Sequence, residues 1–509
     1  MPVSLATAAA AYCATFTVVD YFSASVLAVQ ILLAVLGVSF FISGVDDLFF
    51  DLCFIVWKFY RRLFKFRYSS LPQADILLRA PQKPIAILIP AWDEANVIRP
   101  MLSNMLRTID YGRFQIFVGT YPNDRSTQHE VDLITDEFPN VHQIVCRNSG
   151  PTCKADCLNN VYQGILDYEK ANDIRFEIFA MDDCEDLVHP YALRLFNYLV
   201  PAYDMVQLPV FPFARGGKDL VGDHYIDEFT EYHGKDIFVR WLLSGALPAA
   251  GVGCAFSRRA VAALASCQDG DLFNTSSLTE DYELGLRIGA LGFRCTFVSH
   301  SCVPLEGYRG AWRPHDRVDA RIAIREYFPS TIRAAVKQKS RWVTGIALQG
   351  WSNLGWKGGA GLRYTLFRDR KALVTNELCL AGYGMALLVL CVLGYSHFAP
   401  DAYHYPALVR KGSWLWYVLL ANFGFLLNRM GWRFYSVYSV YGWHQALLAV
   451  PRQACSNIIN GFATTRAIYL FCRAVLKGKS IAWDKTAHVL PASVTSHGGS
   501  ARTLASETR

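Results

Sequence analysis

Residues 85–94, IAILIPAWDE, join a short apolar run to a polar turn that carries two carboxylates. An apolar run of this length is typical of a buried strand. Similar runs recur, and the predicted strands are Ile85–Ile89, Phe114–Val118, His142–Val145 and Phe176–Met181. Helix-like stretches lie between them at Ala95–Leu106 and Gln128–Glu137. This β-α-β-α alternation predicts an α/β fold with an open, Rossmann-like, mostly parallel sheet.

The residues that follow each strand are the place to look for chemistry, because ligands of open α/β sheets bind outside the carboxyl ends of the strands. The fourth strand is followed by four carboxylates within five residues, Asp182, Asp183, Glu185 and Asp186. Carboxylate oxygens at this spacing suit Mg²⁺ or Mn²⁺ bridging the phosphates of a substrate. A solvated acidic turn would have the same composition, and the cluster alone does not separate the two interpretations.

Composition places part of the 509-residue chain in lipid. Apolar residues make up 52% and charged residues 18%, below the roughly 25% charged content of soluble domains. This balance excludes a disordered chain and disfavours an ordinary soluble enzyme. The net charge of +7 gives no reason to expect nucleic acid as a partner. Fourteen cysteines without a CxxC pair indicate reduced thiols packed as small apolar residues.

The first membrane segment is predicted near the N-terminus. Residues Tyr21–Val45 carry no charge, and the run exceeds the roughly 20 residues that cross a bilayer. No Lys or Arg precedes Lys58, which argues against a cleaved signal peptide and for a retained transmembrane helix. Basic and aromatic residues then alternate as far as Arg67. By the positive-inside rule this segment is cytoplasmic, so the N-terminus faces outward.

Further membrane segments are predicted in the C-terminal part. Uncharged runs at Leu378–Tyr395 and Gly412–Asn428 predict a second and a third transmembrane helix. After them, Arg452, Arg466 and Arg473 are separated by multiples of seven residues and share one helical face, which predicts amphipathic helices in the membrane interface. A fourth crossing kinked at Pro451 is the alternative.

The predicted organisation of the whole chain follows from these segments. It consists of an extracytoplasmic N-terminus (1–20), a transmembrane helix (21–45), a basic juxtamembrane linker (46–80), a cytosolic α/β domain (81–345), an interface segment (346–371), two transmembrane helices (372–398 and 412–428), amphipathic interface helices (433–479) and a flexible tail (480–509).

Short motifs occur along the chain in a recognisable order. They are Asp93 after the first strand, Lys154 in KADCLN, Asp183-Cys184-Glu185, Gly251-Val252-Gly253, Thr279-Glu280-Asp281 and Gln338-Lys339-Ser340-Arg341-Trp342. Together they resemble the motifs of the membrane-bound family-2 glycosyltransferases, which include cellulose, chitin and hyaluronan synthases. The resemblance covers nearly the whole chain, because transmembrane helices also flank the catalytic domain of that family. It implies a GT-A fold inserted between transmembrane helices and inverting transfer of a sugar from a nucleotide donor.

The resemblance also implies a role for each matched residue. The residues expected to bind the nucleotide sugar are Asp93, Tyr121, Asp124, Lys154, Asp183 and Arg341. Those expected to bind the acceptor are Gln338, Trp342, Gly251 and Gly253. Asp183 and Glu185 are expected to hold Mg²⁺ or Mn²⁺. Asp281 is expected to be the general base, with Glu280 beside it.

The turn after the second strand departs from the family pattern. Most relatives carry Asp-Asp-Gly there, where an Asp contacts uracil, whereas this chain has Thr120-Tyr121-Pro122-Asn123-Asp124. Tyr121 is expected to stack on the base or to form a hydrogen bond with it, and Asp124 is expected to replace the missing carboxylate.

Two of these assignments have a physical basis in the sequence itself. Thr279 can cap a helix that holds Asp281 in its first turn, where the helix dipole favours the ionised form that a base requires. Acidic residues that merely complement the dipole are the alternative. Gln338, Arg341 and Trp342 lie on one helical face and offer an amide, a cation for diphosphate and a platform for a sugar ring. Anchoring at the membrane interface would use the same residue types.

Three further stretches resemble a narrower group, the inner-membrane glycosyltransferases of a bacteriophage-receptor polysaccharide system. They are SGVDDLF at 43–49, YPND at 121–124 and WDKT at 483–486. The resemblance implies a UDP-activated N-acetylhexosamine donor, a growing glycan or lipid-linked acceptor, an outer-membrane export partner, and a bacterial inner (plasma) membrane location with the catalytic domain cytosolic. Members commonly carry a C-terminal module that senses cyclic di-GMP. That module is not expected here, because the chain ends soon after Trp483 and lacks the RxxxR and DxSxxG pair.

Processive transfer to a polysaccharide is therefore the favoured function. A transferase that adds one sugar to a lipid carrier would carry the same motifs. An inactive receptor or scaffold that retains the fold is a third possibility, and the intact carboxylates at 183, 185 and 281 argue against it.

Overall fold

The strands lie in one large sheet and one small ribbon, described here from a computed structural model that covers residues 5–63, 74–217, 219–301, 321–398, 407–478, 489–491 and 494. They are β1 Ile85–Pro90, β2 Phe114–Thr120, β3 Val141–Val145, β4 Ile178–Met181, β5 Leu187–Val188, β6 Met205–Gln207, β7 Cys254–Ser257, β8 Cys295–Phe297 and β9 Ile324–Arg325. Strands β5 and β9 pair antiparallel in the ribbon.

The large sheet has seven strands in the order β3-β2-β1-β4-β7-β6-β8. Strands β3, β2, β1 and β4 are parallel. Strand β7 is antiparallel to both of its neighbours, β4 and β6, and β8 is parallel to β6. One strand therefore runs against the other six, and the predicted α/β class with a mostly parallel sheet is confirmed.

The four predicted strands are β1 to β4, with ends that differ from the prediction by at most two residues. The sequence patterns miss the five strands β5 to β9. Each of these strands has two to four residues, and runs this short give little apolar periodicity.

Helices cover both faces of the sheet and continue beyond it. They are α1 Leu5–Leu63, α2 Ala74–Arg79, α3 Ile98–Thr108, α4 Arg125–Thr135, α5 Lys154–Asn172, α6 Ala192–Leu199, α7 Leu220–Glu231, α8 Ile237–Ser244, α9 Arg258–Ser266, α10 Glu280–Ala290, α11 Ile332–Val343, α12 Gly350–Asn353, α13 Ala360–Phe398, α14 Trp414–Tyr441 and α15 Trp443–Lys477. The segments Tyr232–Asp236 and Thr344–Gln349 are π-helical. The two predicted helices correspond to α3 and α4.

The core has two layers because successive side chains of a strand point to opposite faces of the sheet. In β1, Ile85, Ile87 and Ile89 pack in one layer with α3, α4 and α6. Ala86 and Leu88 pack in the other layer with α5, α9 and α10. Because both faces of the sheet are buried, the sequences of the parallel strands are continuous apolar runs.

The chain divides into two compact units, Met1–Leu52 with Val374–Gly431 and Cys53–Leu373 with Trp432–Arg509. Within the first unit, α1 and α14 are joined by polar contacts. The Asn422 side chain donates to the Gly37 carbonyl at 2.8 Å, and Asn428 donates to Asp51 at 2.7 Å. These bonds satisfy polar groups on two otherwise apolar helices.

Two helical stretches, Ser25–Tyr60 and Ala360–Tyr395, are long and apolar enough to cross a membrane, by length and composition. They overlap the spans predicted at 21–45 and 372–398. The span predicted at 412–428 lies in α14, which is not among them. Helix α1 also continues to Leu63, so the predicted linker 46–80 begins as helix, since no Gly or Pro follows Gly44 within α1 to interrupt it. The rest of the basic segment, the WDKT motif and most of the tail lie outside the described residues.

The structure contradicts the predicted basic interfacial face on α15 at one of its three arginines. Arg452 is fully buried and donates to both oxygens of Asp227 at 2.9 and 2.7 Å. Arg466 donates to the Ser340 hydroxyl, and Arg473 is exposed. The partners of Arg452 and Arg466 lie on α7 and α11, and helical periodicity gives no information about such distant elements.

Candidate active site

A cleft opens at the carboxyl ends of β1, β2 and β4, which is where the strand pattern predicts the chemistry. The predicted site residues that line it are Tyr121, Lys154, Asp183, Glu185, Glu280, Asp281, Gln338, Arg341 and Trp342. Two parts of the lining are distinguished below. The strand-end floor comprises residues 90–94, Tyr121, Lys154 and residues 182–186. The α11 wall comprises Gln338, Arg341 and Trp342, with Phe229 and Phe328 packed against them.

Lys154 is the cation of the strand-end floor. It is the first residue of α5, and its ammonium lies 2.6 and 2.8 Å from the two carboxylate oxygens of Asp183. Burial alone would lower the pKa of Lys154, but Asp183, Glu280 and Asp281 together raise the pKa above its ordinary value. The side chain is therefore charged and held at the centre of the carboxylates.

Two of the four clustered carboxylates support the floor from below. Asp182 accepts a hydrogen bond from the Gly253 amide at 3.0 Å, and Asp186 accepts one from the Asp183 amide at 2.6 Å. Burial raises the pKa of both Asp182 and Asp186. Asp183 and Glu185 line the cleft, whereas Asp182 and Asp186 do not. Of the predicted acceptor residues, Gly251 and Gly253 do not line the cleft.

Asp281 lies in the first turn of α10, as predicted, and contacts Gly251. Gly251 has a φ of +82°, and a Cβ there would lie 2.4 Å from Asp281 Oδ2 and 3.4 Å from Lys154 Nζ. The absence of a side chain at Gly251 is thus what leaves room for the carboxylate. Thr279 occupies the N-cap position, but its side chain makes no capping hydrogen bond.

The protonation behaviour of Asp281 differs from the prediction. Burial raises the pKa of Asp281, although Lys154 and the Tyr282 amide, at 2.8 Å from Asp281 Oδ1, lower it. Burial and repulsion from Asp281 likewise raise the pKa of Glu280. Desolvation outweighs the helix end because Asp281 is half-buried among the buried residues Glu280, Tyr282 and Glu283. A carboxylate whose pKa lies nearer neutrality is a stronger general base.

The α11 wall places an amide, a cation and an aromatic ring along one face of α11, as the spacing predicts. The Trp342 ring lies 6.2 Å from the Phe229 ring and 6.4 Å from the Phe328 ring, measured between centroids. Arg341 is half-buried and makes no ion pair with any residue that the structure describes. Its charge is therefore available to a ligand in the cleft.

The base-binding role predicted for the Tyr121 ring meets a steric limit. Tyr121 is 1% exposed, its hydroxyl lies 2.8 Å from the Thr152 hydroxyl, and its ring packs edge-on against Trp92. Burial raises the pKa of Tyr121, so the phenol is neutral. Trp92 is half-buried and lines the cleft beside it, which makes Trp92 the more accessible aromatic surface for a base.

Asp124 and Asp93 are not brought into the cleft lining. Asp124 is the N-cap of α4, where it accepts from the Thr127 amide at 3.2 Å and from the Asp93 amide at 2.5 Å. Burial alone would raise the pKa of Asp124, but these hydrogen bonds lower it. Asp93 has a positive φ of 54° and an exposed side chain. This left-handed turn places Trp92 and Glu94, rather than Asp93, in the lining.

The same residue range, 81–345, matches the sequence profile of the family described as glycosyltransferase-like family 2. The chain belongs to this family. Its α/β unit is a family-2 glycosyltransferase domain, and the predicted resemblance is confirmed.

Two curated relatives of this glycosyltransferase are 41% identical to it over 490 residues. They are Bacteriophage adsorption protein B of Escherichia coli strain K12 and Bacteriophage N4 adsorption protein B of Escherichia coli O157:H7. The alignments cover 95% of this chain and 65% of each relative, so the chain spans about 65% of their length. Among solved structures, the mannosyltransferase PcManGT from Pyrobaculum calidifontis in complex with GDP-Man and Mn²⁺ aligns with a TM-score of 0.44 at 13% identity, covering 82% of this chain and 98% of that chain.

The floor of the glycosyltransferase cleft suits a divalent cation that is shared with a substrate. Among the described residues, no group of three or more His, Cys, Asp or Glu side chains is arranged to hold a metal ion by itself. Asp183 and Glu185 nevertheless present hard oxygen ligands to the cleft. Among the described residues, Asp186 Oδ1 is buried and has no hydrogen-bond partner. Burial and then repulsion from the neighbouring carboxylates raise the pKa of Asp186, and a bound cation would reduce that repulsion.

Sequence reasoning missed part of the lining. Trp92 and Glu94 flank the predicted Asp93, so the motif does indicate the correct turn. The left-handed backbone at Asp93 places these two neighbours, rather than Asp93, in the lining. Phe229, Glu326 and Phe328 also line the cleft. These three residues belong to no recognised motif, and only the tertiary fold brings them to the site.

Proposed function

We propose that this chain is an inverting, processive membrane glycosyltransferase that moves a sugar from a UDP-sugar to the end of a growing exopolysaccharide. Family membership gives the class of enzyme. The donor, the acceptor and processivity are the content of the proposal, and the donor sugar is proposed to be an N-acetylhexosamine.

The observation that carries the proposal is that one cleft is lined by two cations, an aromatic ring and a carboxylate. On the floor, Lys154 and Asp183 lie next to the carboxylate of Asp281. In the same cleft, the α11 wall offers the cation of Arg341, which makes no ion pair with any described residue, and the ring of Trp342. Two cations suit a diphosphate, an aromatic ring suits a sugar, and a partly desolvated carboxylate suits the removal of a proton.

The proposed reaction uses Asp281 as the general base. Its carboxylate takes the proton of the acceptor hydroxyl while the acceptor oxygen forms a bond to C1 of the donor sugar. The bond between C1 and the diphosphate oxygen breaks, and UDP leaves with the bonding electron pair. Lys154 and Arg341 stabilise the negative charge that develops on the diphosphate. Gln338 and Trp342 orient the acceptor, which lowers the entropic part of the barrier.

Asp183 and Glu185 are the residues proposed to hold Mg²⁺ or Mn²⁺ when a donor is bound. A divalent cation would supply electrostatic stabilisation of the leaving diphosphate. Chelation with EDTA is expected to reduce activity to background, and replacing both carboxylates by Ala is expected to prevent rescue by added metal. Full activity in EDTA would mean that the cluster has a purely structural role.

The proposed location is the bacterial inner membrane, with three crossings, an outward N-terminus and a cytosolic catalytic domain. It rests on the absence of basic residues before Lys58 and on basic residues near 58–67, 368–371 and 429–433. Phosphatase or fluorescent-protein fusions before residue 5 and after residue 478 would report the topology. An outward signal after residue 478 would mean that α15 contains a further crossing.

The direct test is a donor screen with the full chain purified in detergent or nanodiscs. UDP release is measured with each common UDP-sugar, with UDP-N-acetylhexosamines first, and the product is then sized by mass spectrometry. A ladder of products supports processive transfer. A single added sugar would favour the alternative of one transfer to a lipid carrier. No UDP release from any donor would favour an inactive scaffold.

A further inference from the structure

A buried hydrogen bond connects α7 to the α11 wall behind the cleft. The hydroxyl of Tyr225 donates to Gln338 Oε1 at 2.8 Å. Tyr225 is fully buried and does not line the cleft, whereas Gln338 does. Within the part of the chain that the structure describes, Tyr225 is the one hydrogen-bond partner of the Gln338 side chain. The hydroxyl of Tyr225 therefore reaches the site through Gln338, while its ring contacts the lining residues Phe328 and Trp342.

The chemistry of the two groups makes this bond directional. Burial raises the pKa of Tyr225 well above its ordinary value, and repulsion from Glu228 and Glu326 adds to the effect. The phenol therefore keeps its proton, and in the structure it donates that proton to Gln338 Oε1. A glutamine amide has one accepting oxygen and an NH₂ group with two donors. With the oxygen of Gln338 occupied by Tyr225, the NH₂ group is the part left for the cleft.

Other contacts of α7 hold α11 in place. The hydroxyl of Tyr225 therefore controls only the rotation of the Gln338 amide. Glu228, one turn after Tyr225, accepts from the Lys339 ammonium at 2.5 Å. Lys339 also donates to Asn460 on α15 at 2.9 Å. The Tyr225 ring itself packs edge-on against the Trp342 ring, with centroids 6.2 Å apart.

We propose that Tyr225 is a positioning residue that holds the Gln338 amide with its NH₂ group toward the cleft, where it donates to an oxygen of the acceptor sugar. The proposal rests on the proposed function, because it takes the acceptor to lie against the α11 wall. Rotating the amide by half a turn would place the NH₂ group against the Tyr225 hydroxyl and an oxygen toward the acceptor. Sugar ring oxygens and N-acetyl carbonyls accept hydrogen bonds, so the rotated amide would lose its bond to the acceptor.

The test compares transfer to acceptor with hydrolysis of donor in Tyr225→Phe, using the full chain and the UDP-sugar that the donor screen identifies. The variant keeps the ring packing and loses the hydroxyl, so the Gln338 amide is free to rotate. Transfer is expected to fall by about tenfold, while donor hydrolysis is unchanged, since water needs no positioned amide. Tyr111→Phe is the matched control, because its hydroxyl bonds to the Lys83 backbone away from the cleft. That variant is expected to leave the ratio of transfer to hydrolysis unaltered.

Two further variants separate positioning from a general loss of structure. Tyr225→Phe in a Gln338→Ala background is expected to cause no additional loss of transfer, because the group that Tyr225 orients is already gone. Gln338→Glu keeps an acceptor for Tyr225 but removes the NH₂ group, so it is expected to show the same selective loss. Equal losses of transfer and hydrolysis in Tyr225→Phe, undiminished losses in the Gln338→Ala background, or normal transfer by Gln338→Glu would each overturn the assignment. Absence of activity in the wild-type chain would instead overturn the proposed function, and the assignment with it.

Discussion

The strand-end floor and the α11 wall are held in place by contacts of different range. Floor residues follow their strands directly, and local bonds such as Asp183 amide to Asp186 shape the turns. The wall is held from behind by residues that are far away in the chain: Tyr225 for Gln338, Glu228 for Lys339 and Arg466 for Ser340. The turns of the floor are thus shaped by local sequence and are then tied to other elements by Lys154 and the Gly253 amide, whereas the wall depends on the packing of α7, α11 and α15. The difference implies that variants of the floor change chemistry, while variants behind the wall change stability and acceptor positioning.

The largest effect is expected at Asp281, where the floor meets α10. Asp281→Asn keeps the shape of the side chain and removes the base, so transfer is expected to fall by about 10²–10⁴-fold. Donor binding, measured by calorimetry or by competition, is expected to persist. Near-normal turnover in Asp281→Asn would remove this carboxylate from the mechanism.

The next largest effect is expected behind the wall, at the buried pair of Arg452 and Asp227. Removing one partner of such a pair leaves an uncompensated buried charge and typically costs about 3–5 kcal/mol of folding stability. Arg452→Met is therefore expected to lower the apparent melting temperature of the purified protein strongly. Arg473→Met is the matched control on the same helix, because Arg473 is exposed, and its effect is expected to be small. Similar melting of both variants would mean that the buried pair does not hold α15 against α7.

The same pair predicts a dependence on pH. Burial raises the pKa of Asp227 to about 6 in the presence of Arg452, so in Arg452→Met the pKa is expected to be higher still. A carboxyl whose pKa is raised by folding stabilises the folded state as the pH falls through that pKa. The stability defect of Arg452→Met is therefore expected to shrink between pH 8 and pH 6. A defect that is constant over this range would point to lost packing rather than to a stranded charge.

A smaller effect on the floor is expected for Gly251→Ala. The new Cβ would lie 2.4 Å from Asp281 Oδ2, so the carboxylate must move, and transfer is expected to fall by about tenfold, or roughly 1.4 kcal/mol in the barrier. Gly216→Ala is the matched control, because Gly216 has a similar φ of +84° with nothing within 4 Å of an added Cβ. Both variants carry the backbone strain, and only Gly251→Ala disturbs the base. Equal activities of the two would show that the close approach does not matter.

The two regions also differ in how far the sequence predicts them. The first four strands, the cluster after β4 and the helical face of Gln338, Arg341 and Trp342 could be predicted, because apolar runs and helical spacing are local patterns. The supporting roles of Asp182 and Asp186 could not be predicted. All four residues carry a carboxylate, and only the tertiary fold decides that Asp183 and Glu185 line the cleft while Asp182 and Asp186 do not.

Other failures have similarly specific causes. Because of the left-handed turn at Asp93, its neighbours Trp92 and Glu94 line the cleft in place of Asp93. The Asp124 carboxylate, predicted to contact the nucleotide base, instead caps the N-terminus of α4. For Arg452, periodicity gives the face of the helix correctly but does not tell whether protein or lipid covers it. Burial, more than secondary structure, is what the sequence leaves undetermined at this site.

The central claim is that the floor and Arg341 bind the donor, whereas Gln338 and Trp342 of the α11 wall bind the acceptor. One paired measurement tests it most directly. Transfer and donor hydrolysis are measured side by side for Lys154→Met and Trp342→Ala, with Trp342→Phe as the variant that retains an aromatic ring. Lys154→Met is expected to lose both activities in equal proportion, because both require the bound diphosphate. Trp342→Ala is expected to lose transfer selectively, because it removes an aromatic contact worth about 1 kcal/mol, which corresponds to roughly fivefold in rate. Trp342→Phe is expected to retain part of the transfer activity. Equal loss of hydrolysis and transfer in a Trp342→Ala protein that inserts normally would contradict the account.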